Sequence, residues 1–226
     1  MTPVHEDASA ITVRISSTSD RVRVVAEARH DVLVEGEAIV HHDGSCTTIE
    51  TIDERIVVRV PAGADLVIGS TSARVEVRGP VGRVAVVTDS GRITVADATS
   101  ADIRTSSARV EVGRTSEECC VRTTSGRVEI GSCGSADVTT VSGRIVVQAA
   151  NGPVRAHCVS GRVEVGLMAP EDVAAETVSG RIHVTVPQGV AVSTNDDRSL
   201  LTAWPGGAES SITARTVSGR VDVSSK

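Results

Sequence analysis

Ser125-Gly126-Arg127-Val128-Glu129-Ile130 returns along the chain with small changes. The near-copies are Ser90-Gly91-Arg92-Ile93-Thr94-Val95, Ser107-Ala108-Arg109-Val110-Glu111-Val112, Ser142-Gly143-Arg144-Ile145-Val146-Val147, Ser160-Gly161-Arg162-Val163-Glu164-Val165 and Ser218-Gly219-Arg220-Val221-Asp222-Val223. A repeat at fixed period dictates architecture before any local signal does. With the arginine as position zero, zeros fall at Arg21, Ala38, Arg55, Arg74, Arg92, Arg109, Arg127, Arg144, Arg162, Arg181, Arg198 and Arg220. Most steps are 17–19 residues, and the last, from Arg198 to Arg220, is 22. The units at Ala38 and Arg198 are degenerate and are placed by spacing.

Six residues before zero the column is apolar throughout, from Ile15 through Val86, Val121 and Val138 to Ala214. Positions one and three after zero are nearly all Val or Ile. Apolar residues alternating at period two, rich in β-branched types, read as half-buried strands. Turn clusters such as Gly79-Pro80, Asn151-Gly152-Pro153 and Ala169-Pro170 separate the units. A unit of this length cannot bury its own apolar face, so successive units must stack and share a core. The expected fold is all-β: a single-stranded parallel β-helix, or β-solenoid. Right-handed crossovers are the general rule. About twelve coils at a spacing of ~4.8 Å would make a rod roughly 55 Å long.

One domain is expected over residues 1–226: a polar N-terminal cap at 1–10, degenerate first coils at 11–60, regular coils at 61–198, and an insertion with the last coil at 199–226. The insertion carries Leu200-Leu201-Thr202-Ala203-Trp204-Pro205-Gly206-Gly207, a candidate flap over bare strand edges.

Composition narrows the function classes. Net charge is −6, and Phe and Tyr are absent. A nucleic-acid binder shows a basic excess, and single-stranded nucleic acid or glycan clefts use aromatic platforms. The N-terminus lacks a basic and an apolar signal region, and no run reaches the length of a membrane span. Cytoplasmic is the default location, and five cysteines scattered over a long chain do not suggest a disulfide framework.

The columns carry the candidate chemistry. Four before zero stand Ser17, Thr51, Ser70, Thr88, Thr105, Thr123, Thr140, Thr177, Thr194 and Thr216, interrupted by Val34 and Cys158. The column two before zero is mostly Ser. An outward threonine array suggests an ice-binding plane. Both columns share parity with the apolar column, however, and that turns them inward as hydroxyls satisfied within the stack. The arginines point outward by parity. Arg92, Arg109, Arg127, Arg144, Arg162 and Arg181 can form a charge ladder with Glu111, Glu129 and Glu164 two residues on. The interleaved acids argue for mutual neutralisation over a polyanion strip. Three before zero, Val141, Val159, Val178 and Val217 form a stripe, broken by Asn195. Parity points it outward as a contact surface for a partner or a second copy; a corner that turns the valines inward is the other possibility. Trp204 offers the one aromatic to a partner.

Cys119-Cys120, Cys133 and His157-Cys158 lie in successive coils without C-x-x-C or H-x-x-x-H spacing, so neither metal nor cofactor is expected. No nucleophile elbow, phosphate loop or H-E-x-x-H occurs.

The repeats Thr140-Val141-Ser142-Gly143-Arg144-Ile145 and Thr177-Val178-Ser179-Gly180-Arg181-Ile182, the last coil Thr216–Val223 and the Trp-containing insertion before it carry a resemblance over nearly the whole chain. It resembles the bacterial β-strand-repeat domains of unknown function often labelled adhesins. The resemblance implies a β-solenoid without enzymatic activity. The expected function is a non-catalytic binding or scaffold module, acting through a flat face or by self-association. The alternatives are a surface adhesin, which needs a secretion route, and a polysaccharide-active enzyme, which needs a cleft with convergent carboxylates.

Overall fold

In the computed structural model, which describes residues 11–18, 21–52, 55–194 and 200–225, alternation of buried and exposed residues runs through nearly every strand. The strands are β1 (Thr12–Ser17), β2 (Arg21–Glu27), β3 (Leu33–Glu35), β4 (Ala38–Asp43), β5 (Cys46–Thr51), β6 (Arg55–Pro61) and β7 (Asp65–Thr115). They continue with β8 (Glu118–Cys133), β9 (Ser135–Ala150), β10 (Val154–Leu167), β11 (Val173–Val186), β12 (Ala191–Thr194), β13 (Leu200–Ala203) and β14 (Glu209–Ser225). All belong to one sheet, and the buried apolar side chains form one cluster.

The register is the sequence repeat made physical. Arg109 pairs with Arg127, Arg127 with Arg144, Arg144 with Arg162, Arg162 with Arg181 and Arg181 with Arg220, all in parallel. The residue after each arginine therefore stacks on its equivalent: Val110, Val128, Ile145, Val163 and Ile182 are all fully buried. Placing β-branched side chains above one another at the strand spacing lets each methyl group contact the layers on both sides. The fold is a β-solenoid.

Two features depart from a simple coil-by-coil stack. The β1/β2 layer does not sit at the end of the rod. β1 pairs with β5 on one side and β7 on the other, and β2 likewise lies between β6 and β7. The layers thus run Arg55, Arg21, Arg74, Arg92, Arg109, Arg127, Arg144, Arg162, Arg181, Arg220. The chain returns across the inserted layer through the turn at residues 61–64, where Ala62 N–H donates to Glu27 O at 3.0 Å and Gly63 N–H to Pro80 O at 3.0 Å.

The segment around Ala38 is not a coil at all. β4 pairs with β5, and β3 with β6, both antiparallel. The cause is local. Asp43 faces Cys46 across a two-residue turn in which Gly44 has φ +58°, a hairpin conformation for which glycine is suited. The reversed strands lie over the edge of the Arg55 layer, so the degenerate region of 11–60 resolves into two true layers and an antiparallel cap. At the other end β11 pairs directly with β14, leaving no parallel layer for a unit at Arg198. Arg198 itself, Asn195 and the 1–10 segment lie outside the described residues. Among the described residues the parallel layers number ten, against the twelve coils expected. In the insertion, β13 pairs antiparallel with β12 on one side and with residues 209–212 of β14 on the other.

Candidate interaction surface

The corner of each coil falls three residues before the arginine. The parallel register runs from Cys158↔Thr177 to Ser160↔Ser179 and omits Val159 and Val178 between them. The chain turns at that unpaired residue, and alternation restarts beyond it. This resolves the two sequence-level possibilities for the valines. Val141, Val159, Val178 and Val217 are 49%, 37%, 44% and 84% exposed, aligned layer upon layer along the corner as an apolar ridge. The same restart overturns the inward expectation for the column two before zero: Ser107, Ser142, Ser160 and Ser179 are exposed. Parity counted through the corner cannot see the extra residue.

The threonine column does lie inside, buried at Thr88, Thr105, Thr123, Thr140 and Thr177, with Cys158 buried in its place in one layer. The threonine hydroxyls donate to backbone, while Ser17 Oγ in the same column donates to Ser70 Oγ of the next layer at 3.3 Å. Thr123 Oγ1 donates to Ser125 O at 3.1 Å and Thr88 Oγ1 to Ser90 O at 2.9 Å. Thr177 Oγ1 reaches Val159 O of the layer below at 3.5 Å. The column thus satisfies carbonyls that the corner withdraws from the ladder, and it presents no ice-facing plane.

On the outer face the arginines and glutamates interdigitate. Arg109 Nε lies 2.5 Å from Glu111 Oε1, and its Nη2 lies 3.6 Å from Glu129 in the next layer. Arg127 pairs with Glu129. Arg144, whose own layer has Val146 two residues on, reaches across to Glu164 and donates to both carboxylate oxygens at 2.8 and 2.9 Å; Arg162 joins at 3.5 Å. Burial pushes the Glu164 carboxyl upward, but the hydrogen bonds and charges of Arg144 and Arg162 outweigh it and hold it below the usual carboxylate range. In the early layers Glu76 pairs with Arg23 and Arg78, whereas among the described residues Arg92, Arg181 and Arg220 have no ion pair.

Trp204 sits half-buried against the core cluster. Its indole N–H lies 3.1 Å from both Thr202 Oγ1 and Ser210 Oγ, and these two oxygens are 2.5 Å apart. Those contacts occupy the indole N–H within the β13–β14 hairpin, so its hydrogen-bonding edge is committed there.

A groove of about 720 Å³ runs beside the last layers, lined in part by Val147, Glu164, Leu167, Met168, His183 and Ser224. His183 Nε2 lies 3.2 Å from Ser224 Oγ, the contact a hydroxyl nucleophile and its base would make. Glu164, the acid stacked beneath His183 in the register, is committed to Arg144 and Arg162. Asp222 stacks on the other side of His183, and among the described residues neither acid is hydrogen-bonded to the imidazole, so His183 and Ser224 form a pair and not an assembled triad. A second groove, of about 680 Å³, lies beside the ridge at the β14 end and is lined by His157, Glu176, Val178, Arg215, Val217 and Val221, among others. Among the described residues no group of three or more His, Cys, Asp or Glu is arranged to hold a metal, and no helix is long and apolar enough to cross a membrane.

Stacked parallel layers, a continuous aliphatic core and a regular outer lattice define a repeat protein of the β-solenoid class. The chain belongs to the Toastrack DUF4097 family, a family of unknown function whose match spans residues 4–224. No curated protein and no solved structure matches the chain.

Proposed function

We propose that the protein is a non-catalytic binding module that holds a protein partner against its corner ridge. The observation that carries this reading is the alignment of Val141, Val159, Val178 and Val217, exposed on consecutive layers. Isolated exposed valines need no explanation, whereas a contiguous row on a rigid backbone is the kind of apolar surface that marks a contact site. The row has little entropy to lose on binding, because each valine has a single χ angle and stands on a hydrogen-bonded layer. A cytoplasmic setting belongs to the same proposal. Its support is the cysteine usage: five free thiols, with Cys119, Cys133 and Cys158 buried among aliphatic side chains, as suits a reducing compartment.

A photo-crosslinking residue at position 159, expressed in the native cell, tests the reading. A discrete adduct that disappears when Val178 is replaced by Glu supports it. An adduct pattern equal to that of a probe at Arg155, on a different face, overturns it.

A further inference from the structure

The two ends of the rod are finished differently. At the Arg55 end, β4 covers the whole of β5 and β3 covers the middle of β6. At the Arg220 end, β14 is paired with β11 from Ile212 to Ser225, but β13 covers only Glu209–Ile212. Among the described residues, the outer edge from Thr213 to Ser225 carries no strand. Among the described residues, none forms a lid over the core here. Ala175, Ile182 and Val184 are fully buried, while their partners in the last layer, Ala214, Val221 and Val223, are only partly so. Thr216 Oγ1 is shielded yet has no hydrogen-bond partner, unlike Thr177 beneath it. An open edge of backbone donors and acceptors next to an incompletely covered core is a template for another strand.

We infer that the occupant is a second copy of this chain, joined end to end by antiparallel pairing of the two β14 edges about a two-fold axis at Ser218–Gly219. Three observations select this occupant. First, this fold closes its stack with antiparallel strands, as β3, β4 and β13 do. Second, the edge is self-complementary about that axis. Reversed pairing sets Arg215 against Asp222, Thr216 against Val221 and Ala214 against Val223. The extra residue at the corner brings inward side chains opposite inward ones, and outward opposite outward. Small Ala and Thr then meet the larger valines across the core. Arg215 and Asp222, which have no ion-pair partner among the described residues, meet twice by symmetry, as an isologous interface requires. Third, the free length matches. Pairing runs between Thr213 and Ser224 on each copy and stops at Ile212, where β13 already lies.

The inference goes beyond the ridge; the two surfaces meet at Val217, but Val159 stands two layers away from the β14 edge, so a variant there separates their failure. Sedimentation velocity over a range of concentrations is the measurement. The intact protein is expected at twice its 23.3 kDa. Arg215→Asp should weaken dimerisation at least about tenfold by setting like charges against each other. The double variant Arg215→Asp/Asp222→Arg should return to within a few-fold of the parent, and Val159→Glu should dimerise as the parent does. Arg215 is exposed, so circular dichroism of these variants should be unchanged. A 23.3 kDa species at every concentration overturns the inference. So does a double variant that stays as weak as the single one.

Discussion

Replacing Gly161 by Ala tests the layer geometry at its tightest point. Gly161 has φ +154°, and a Cβ built on it would lie inside 3.0 Å of the carbonyl oxygen of Gly143 in the layer below. That neighbour is backbone, fixed by its own ladder bonds, and cannot rotate away. Two costs combine. Holding a residue with a Cβ at that φ costs about 1–3 kcal/mol, and forcing a methyl group into packed structure costs about 1–3 kcal/mol more. The expected loss is about 2–6 kcal/mol. The useful control is Ala108→Gly, in the same column three layers earlier. Ala108 already carries its Cβ there, buried in the core, so the reverse change should cost only about 0.5–1 kcal/mol through backbone entropy. Urea unfolding followed by far-ultraviolet circular dichroism reads both. A Gly161→Ala protein within about 1 kcal/mol of the parent would refute the claim that successive layers approach this closely at the corner.

Two further outcomes follow from the site chemistry. The depressed pKa of Glu164 means that its ion pairs with Arg144 and Arg162 stabilise the fold above the unfolded-state value of about 4.3, and that this contribution fades as pH falls through the lower folded-state value. Glu164→Gln should therefore be less stable than the parent at neutral pH by up to about 1 kcal/mol, with the difference vanishing in acid. Denaturant midpoints at several pH values measure it, and an undiminished difference at low pH would contradict it. Burial raises the Cys119 thiol to about 12 and the Cys133 thiol to about 11, so neither carries appreciable thiolate near neutrality. Thiol labelling of the native protein, read by mass spectrometry, should modify the partly exposed Cys46 and Cys120 and spare Cys119, Cys133 and Cys158 until denaturant is added.

The missed features have identifiable signals. Asp43-Gly44 between two strand-like runs is a hairpin signature, and it outweighs the count of residues that suggested a coil at Ala38. Trp204-Pro205-Gly206-Gly207 is likewise a turn, with Gly206 and Gly207 at φ +99° and +83°. The hydroxyl partners of the threonine column were not legible, because the carbonyls they serve are released by the corner itself.

Periodicity alone determined that this chain is a β-solenoid, because a residue type recurring at a constant interval can stay buried only if the interval is one turn of the stack. It placed the aliphatic columns, the buried threonines and the outward arginines, since those follow from side chains alternating along a strand. Tertiary structure decided what crosses between layers. It set the insertion of the Arg21 layer between Arg55 and Arg74, the reach of Arg144 to Glu164, the outward turn of the valine ridge and the open edge of β14. These depend on which layers are neighbours and on how the unpaired corner residue resets the alternation. Both are contacts between residues distant in sequence, and neither is encoded in the spacing of any one repeat.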